Sequence, residues 1–159
     1  FYCDNSRPET RSIRLCPHCD EPTYFHGSFQ LPGVSVGGHV SNVPKDVAAI
    51  YQEARTAIAA NAFTAAVLLL RKLLMHIAVS EGDTEGKNFV AYVEFLNNKG
   101  FIPPNGKAWV DHIRHKGNEA NHEIRIMLKE DAEELITFSE MLLKFIYEFP
   151  SKVPTKKAS

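Results

Sequence analysis

The chain lacks a long apolar run, a surplus of either charge and an even set of cysteines, and each absence closes off a class of protein. Its longest near-continuous apolar stretch, Ala62 to Leu70, is closed by Arg71 and Lys72, well short of the about 20 residues that span a bilayer, so no membrane association is expected. With 18 Lys+Arg against 19 Asp+Glu there is no global basic field of the kind that holds nucleic acid regardless of sequence, and any such binding must be local. Three cysteines make no closed disulfide framework. No charged and apolar leader with a small-residue cleavage site opens the chain, so the expected compartment is the reducing cytoplasm. The first residue is Phe1 and not Met, which is expected of a longer protein with an upstream part. P-loop, dinucleotide fingerprint, nucleophile elbow and catalytic metal constellation are all missing, as is any internal repeat.

What is present divides into three parts. Residues 1–42 hold every cysteine, many Gly and Pro, and short alternations such as Thr23-Tyr24-Phe25 and Ser28-Phe29-Gln30-Leu31, the pattern of short strands and turns. Composition shifts at Ser41-Asn42-Val43-Pro44, where a cap and a proline near the first turn announce a helix. From residue 43 to 149 the periodicity predicts an all-α bundle of about five helices. Val47, Ile50, Tyr51, Ala54 and Ile58 form the stripe of the first. Ala66, Leu69, Leu70, Leu73 and Ile77, with Val67, Leu68 and Leu74 filling the other sides, mark a central helix buried on most of its surface. Phe89, Val90, Val93 and Leu96 give a short third helix stopped by Gly100 ahead of Pro103-Pro104. A fourth from about Asn105 carries Trp109, Ile113, Gly117, Ala120 and Ile124 on one side, and a fifth from about Lys129 carries Leu135, Phe138, Leu142, Phe145, Ile146 and Phe149. Residues 150–159 read as a flexible basic tail.

Two constellations carry chemistry. Cys16-Pro17-His18-Cys19 is a two-residue-spaced pair, the spacing at which both thiolates of a tight turn reach one tetrahedral zinc ion at about 2.3 Å. Cys3 offers a third ligand, and His26, His39 or an upstream cysteine a fourth; the expected structural Zn2+ set is Cys3, Cys16, Cys19 and His26. Unligated cysteines in a flexible leader are the simpler alternative, and a redox pair lacks its strand-to-helix context.

The second is Asp111 to His122, which packs three of seven histidines into one short stretch. On a continuous helix Arg114, Asn118 and His122 sweep about 80° of the surface, with His115 nearly in line with His122. A fixed cation, imidazoles that titrate near neutrality and an amide suit an anionic ligand such as phosphate. Gly117 inside the helix costs about 1 kcal/mol relative to alanine, which close packing with a neighbour would offset. The plain alternative is a solvated polar face. Arg71 and His76, on an otherwise apolar helix, need the same weighing; Arg71 fits a structural role better, with Glu53 or Glu94 available to pair with it.

The order Pro44-x-Asp46-Val47, Tyr51-x-Glu53-Ala54, Ala65-Ala66, Leu70-Arg71-x-x-Leu74, Phe101-x-Pro103-Pro104, Gly117-Asn118-x-x-x-His122 and Glu130-Asp131-Ala132 resembles the bacterial family called domain of unknown function 4145 over about Val43 to Phe149. The Cys-Pro-His-Cys turn is similar to the zinc-knuckle leaders of many members. That family in turn resembles the HEPN superfamily of helical nucleotide-binding domains, frequent in restriction and phage-defence systems. The resemblance implies a HEPN-like bundle, a homodimer, and a nucleotide, RNA or DNA-associated partner. Active HEPN ribonucleases place an arginine four to six residues before a histidine and cleave RNA without metal through the 2′-hydroxyl. Here His122 matches the histidine, but Gly117 stands where the arginine with four intervening residues would be. Arg114 lies too far upstream, Lys116 offers a point charge in place of a fork, and Met75 replaces an acidic residue frequent in relatives. The implied function is a non-catalytic binding or assembly module acting through Arg114, His115, Asn118 and His122. The alternatives are a ribonuclease with His122 as acid or base and Arg114 or Lys116 as charge stabiliser, and a purely structural dimerisation domain.

Overall fold

The computed structural model describes residues 11–17, 20–103, 106, 108–113 and 126–153. Through them run β1 (Arg11–Leu15), β2 (Pro22–His26), β3 (Phe29–Leu31), α1 (Lys45–Ala59), α2 (Phe63–Ser80), α3 (Phe89–Asn98), α4 (residues 108–113), α5 (Lys129–Leu143), a π-helical turn (Lys144–Glu148) and α6 (Phe149–Lys152). The fold is mostly helical, with a small three-stranded antiparallel sheet in order β1-β2-β3 on the N-terminal side.

Local chemistry sets the helix limits. Pro44 precedes α1 with φ −52°, and its carbonyl accepts from Ala48 at 2.8 Å. The three helices α1, α2 and α3 close in the same way. Asn61, Gly82 and Gly100 take positive φ just past the last turn, and paired backbone bonds tie each end, as with Ala62 to Ala57 and Asn61 to Ile58 after α1. Asn88 caps α3 by accepting from the Ala91 amide at 2.9 Å. At the start of α5 the Leu128 amide donates to Asp131, and just before it the Met127 amide donates to Thr64 Oγ1 on α2 at 3.0 Å.

The core centres on α2, which packs against α1, α3 and α5. Ala66, Val67, Leu70, Leu73, Leu74, Ile77 and Ala78 are buried against Tyr51 and Ile58 of α1, Phe89, Val93 and Leu96 of α3, and Ile136, Phe138 and Leu142 of α5. Burial of α2 is narrower than its composition predicts, since Leu68 faces outward at 61% exposure and Leu69 is half-buried. With its mean hydropathy of 1.6, α2 is long and apolar enough by composition to cross a membrane, a length that the interruption at Arg71-Lys72 conceals. Its packing is that of a bundle's central helix. Arg71 remains on it by laying its guanidinium 4.6 Å above the Phe89 ring, and burial pushes its pKa down.

The sheet has little core. Register places Ile13, Tyr24 and Leu31 in one row, and Leu15 and Phe29 on the same face. On that face Ile13, Leu15, Phe29 and Leu31 are 41–57% exposed. A three-stranded sheet without a buried face is marginal by itself and needs another tie.

Such a tie to the bundle is visible in residues 33–42. Their glycine content reads as a loop, yet they form a strap laid on α1 and α5. The Gly33 amide bonds the Ala59 carbonyl, Arg55 Nε donates to the Val36 carbonyl at 3.2 Å, and Tyr51 donates to the Gly38 carbonyl at 3.3 Å. Val40 is buried in the core. A Cβ at Gly37 would meet the Tyr51 hydroxyl at 2.6 Å, and one at Gly38 would meet Glu140 at 2.9 Å. These glycines therefore serve close approach, and contact with the bundle begins well before the compositional boundary at residue 42.

The C-terminal boundary also shifts. Pro150 does not stop the last helix: the chain continues from α5 through the π-helical turn into α6, and the helical path reaches Lys152. Pro150 has no amide to give the Ile146 carbonyl and its ring crowds that oxygen. The turn widens just ahead of it, with the Phe149 amide bonding Lys144 five residues back.

Candidate functional site

The segment that the sequence singles out begins in α4, with Asp111, His112 and Ile113. Val110 and Ile113 are buried, and Trp109 packs edge-on against Phe138 of α5 at 5.4 Å and 77°. On the outer side His112 Nε2 lies 2.9 Å from the Glu134 carboxylate. So α4 is fixed to α5 by an aromatic contact inside and a polar one outside, and the chain leaves it directly into Arg114. It returns at residue 126, where Met127 is tied to Thr64. Arg114, His115, Asn118 and His122, the predicted ligand-binding and catalytic residues, lie outside the described residues, as does Gly117.

In the leader, Cys16 begins the loop that joins β1 to β2. Its amide donates to the Glu21 carbonyl at 3.0 Å and its carbonyl accepts from Asp20 at 2.9 Å, so the loop holding Cys16-Pro17-His18-Cys19 is closed at its base. Asp20 takes a φ of +56° to complete the turn. A tight hairpin loop is suited to present two thiolates to one ion. Cys3 and Cys19 lie outside the described residues.

The strand register sets His26 well apart from Cys16. Leu15 pairs with Pro22 and Arg11 with His26, which puts Cys16 and His26 at opposite ends of the β1-β2 ladder. Five residues of strand separate their levels by roughly 16 Å, whereas two ligands of one zinc ion bind it at about 2.0–2.3 Å each. Sequence spacing alone does not reveal this, because the hairpin register decides which residues share an end. His39, the other histidine candidate, lies on the strap beside Val40 and Val43, facing Tyr51, Gln52 and Arg55 of α1 around a cavity of about 210 Å3. Among the described residues no group of three or more His, Cys, Asp or Glu is positioned to hold a metal ion.

Two carboxylates that the sequence reading did not single out proved central. Glu140 accepts the Gly38 amide at 2.8 Å on Oε2 and Lys144 on Oε1. Glu148 accepts the Ser41 amide at 3.0 Å on Oε2 and Lys152 on Oε1. Burial raises the Glu140 pKa, but Lys144 and the Gly38 amide outweigh it and hold the carboxyl below its usual range. Lys152 and the Ser41 amide hold Glu148 low in the same way. Tyr51, beneath the strap, is pushed up to about 12 by burial and by Glu140. A repeated Glu with Lys four residues later is the only sequence signal for these anchors, and it is also the ordinary pattern of a solvated helix face.

A family model described as domain of unknown function (DUF4145) matches residues 52–159, more than half of the chain. The chain belongs to the DUF4145 family. The match begins inside α1 and takes in α2 to α6, the whole stretch from Arg114 to His122, and the C-terminal residues, while the leader, the strap and the first turns of α1 precede it. No curated protein and no solved structure matches this chain. His76, within the DUF4145 part, lies 3.5 Å from Asp46 at the surface between α1 and α2.

Proposed function

We propose that this DUF4145 chain is a HEPN-like binding module that recognises a phosphate-bearing ligand, a nucleotide or a nucleic-acid end, through Arg114, His115, Asn118 and His122, and that it does so without cleaving it. The observation that carries the reading is the anchoring of the segment at both ends. Trp109 and His112 pin α4 to α5 ahead of the segment and Thr64 holds Met127 after it, so the chain is tied to the bundle on both flanks of a sequence rich in cationic and amide side chains. Arginine supplies a fixed, planar donor set, and imidazole and amide groups supply further hydrogen-bond donors. Gly117 in place of an arginine favours binding over catalysis, because the forked donor that would neutralise a phosphorane is missing from that position.

The leader fits a structural zinc role in the same proposal. Its sheet has an exposed apolar face and its hairpin loop closes on Cys16, so an ion held by Cys16 and Cys19, with Cys3 and a ligand other than His26, would supply the missing stabilisation. A homodimer and a place in bacterial phage defence follow from the family resemblance alone. Native mass spectrometry of the protein as purified tests the binding reading. A nucleotide or oligonucleotide adduct that disappears in Arg114→Ala/His122→Ala supports it, and an adduct unchanged in that variant refutes the assigned site. Cleavage of single-stranded RNA in EDTA, lost in His122→Ala, would replace it with the ribonuclease reading.

A further inference from the structure

We propose that the strap is a built latch: Glu140 and Glu148 act together as a double carboxylate clasp on its backbone and hold the hairpin leader in a fixed place on the helical bundle. The clasp has two matching halves. In each, one carboxylate oxygen takes a strap amide, Gly38 or Ser41, and the other takes the lysine one turn on, Lys144 or Lys152. The two strap amides are three residues apart, while the two glutamates are eight apart along the helix.

The π-helical turn ahead of Pro150 also aligns the two glutamates. A regular α-helix advances about 100° per residue, so eight residues would leave Glu148 about 80° off the line of Glu140. The π-turn at Lys144–Glu148 absorbs one extra residue, which brings the two carboxylates to within about 20° of one line. Glu148 is consequently only 9% exposed, though it belongs to a residue type that is seldom buried. Asn42 extends the clasp by donating to Ser151 Oγ at 2.7 Å, and that hydroxyl donates to the Glu148 carbonyl.

The strap meets this grip with backbone. Gly37 and Gly38 leave the space that a Cβ would fill, and Tyr51 and Arg55 take the strap carbonyls of Gly38 and Val36 from the other side. Donors and acceptors are thus satisfied from both α1 and the last helix, a pattern that a mobile tether has no cause to show. The latch also forms one wall of the cavity lined by His39, Tyr51, Gln52 and Arg55. This inference is independent of any ligand at Arg114 to His122.

Amide hydrogen exchange on the intact chain tests it. In the wild type the Gly38 and Ser41 amides exchange far more slowly than those of an open loop. Glu140→Ala speeds Gly38 preferentially and Glu148→Ala speeds Ser41 preferentially, each by about ten-fold or more, the loss expected for one charge-assisted bond. Glu140→Gln and Glu148→Gln, which keep an acceptor oxygen, recover part of the protection and guard against a variant that fails to fold. Unprotected Gly38 and Ser41 amides in the folded wild type overturn the proposal. So do alanine variants that leave both amides as slow as before.

Discussion

Replacing Phe138 with alanine probes the contact on which the candidate site is mounted. Phe138 is fully buried in α5, and its ring is the edge-on partner of Trp109 at 5.4 Å. Truncating a buried phenylalanine costs about 3–5 kcal/mol, the sum of lost transfer energy and the cavity left behind. The edge-to-face contact contributes about 0.5–1.5 kcal/mol of that. Against a total stability of about 5–15 kcal/mol for a domain, the variant is severely weakened but can remain folded at low temperature. At a urea dependence of about 2 kcal/mol per molar, the midpoint falls by roughly 2 M. The assay is built in, because Trp109 is the single tryptophan of the chain. Its emission should shift to longer wavelength in folded Phe138→Ala as α4 loosens, while far-UV dichroism retains the helical signal. Phe138→Leu, which fills most of the volume, should cost under about 1.5 kcal/mol and give an intermediate shift. A midpoint loss in Phe138→Ala below about 0.5 M, or an unchanged Trp109 spectrum, would refute the packing described.

The remaining predictions concern turns, metal and pH. Asn61→Gly should raise stability slightly, by a few tenths of a kcal/mol up to about 1, read as a small rise in Tm, because Asn61 holds a φ of +59°, whereas Asn61→Val should lower stability by about 1–2 kcal/mol. Cys16→Ser should remove zinc from purified protein in elemental analysis and His26→Ala should not; equal loss in both would contradict the strand register. Glu140, facing Lys144, Arg55 and the Tyr51 hydroxyl, and Glu148, facing Lys152 and Lys144, both have folded pKa values below the ordinary range. Their contribution is therefore complete above about pH 5 and is lost as pH falls through the depressed values, an acid sensitivity that Glu140→Gln should reduce in thermal melts. Tyr51 runs the other way: its folded pKa of about 12 means its contribution is present below about pH 10 and lost as pH rises through 12, visible in a phenolate absorbance titration.

Much of the helical scaffold can be read directly from the chain, and the reason is periodicity. Val47, Tyr51, Ala54 and Ile58, or Phe89, Val93 and Leu96, recur at helical spacing because one face must be buried, and Gly82 and Gly100 end helices because few residues accept their φ. The strand pairs Thr23 to Phe25 and Phe29 to Leu31 were also legible, while β1, with Ile13 and Leu15 both exposed, carries no burial pattern to announce it.

The illegible parts share a cause: their role depends on something distant in sequence. Glycines that allow close approach look the same as glycines that confer freedom, so the strap reads as a linker until Glu140, more than one hundred residues away, is placed beside Gly38. Pro150 reads as a stop, although the helix accommodates it by widening the turn before it. His26 has ligand chemistry, but its distance from Cys16 along the hairpin is set by strand pairing, which spacing in the sequence does not show.

The most direct test of the central reading is fluorescence anisotropy with a short 5′-labelled single-stranded RNA in EDTA, comparing wild type with Arg114→Ala/His122→Ala and recovering the RNA afterwards for mass analysis. The account predicts saturable binding by wild type that weakens as salt rises, its loss in the double variant with the bundle still folded, and RNA recovered intact. Equal binding by the two proteins would contradict the site, and RNA cleaved only by the wild type would contradict the non-catalytic role.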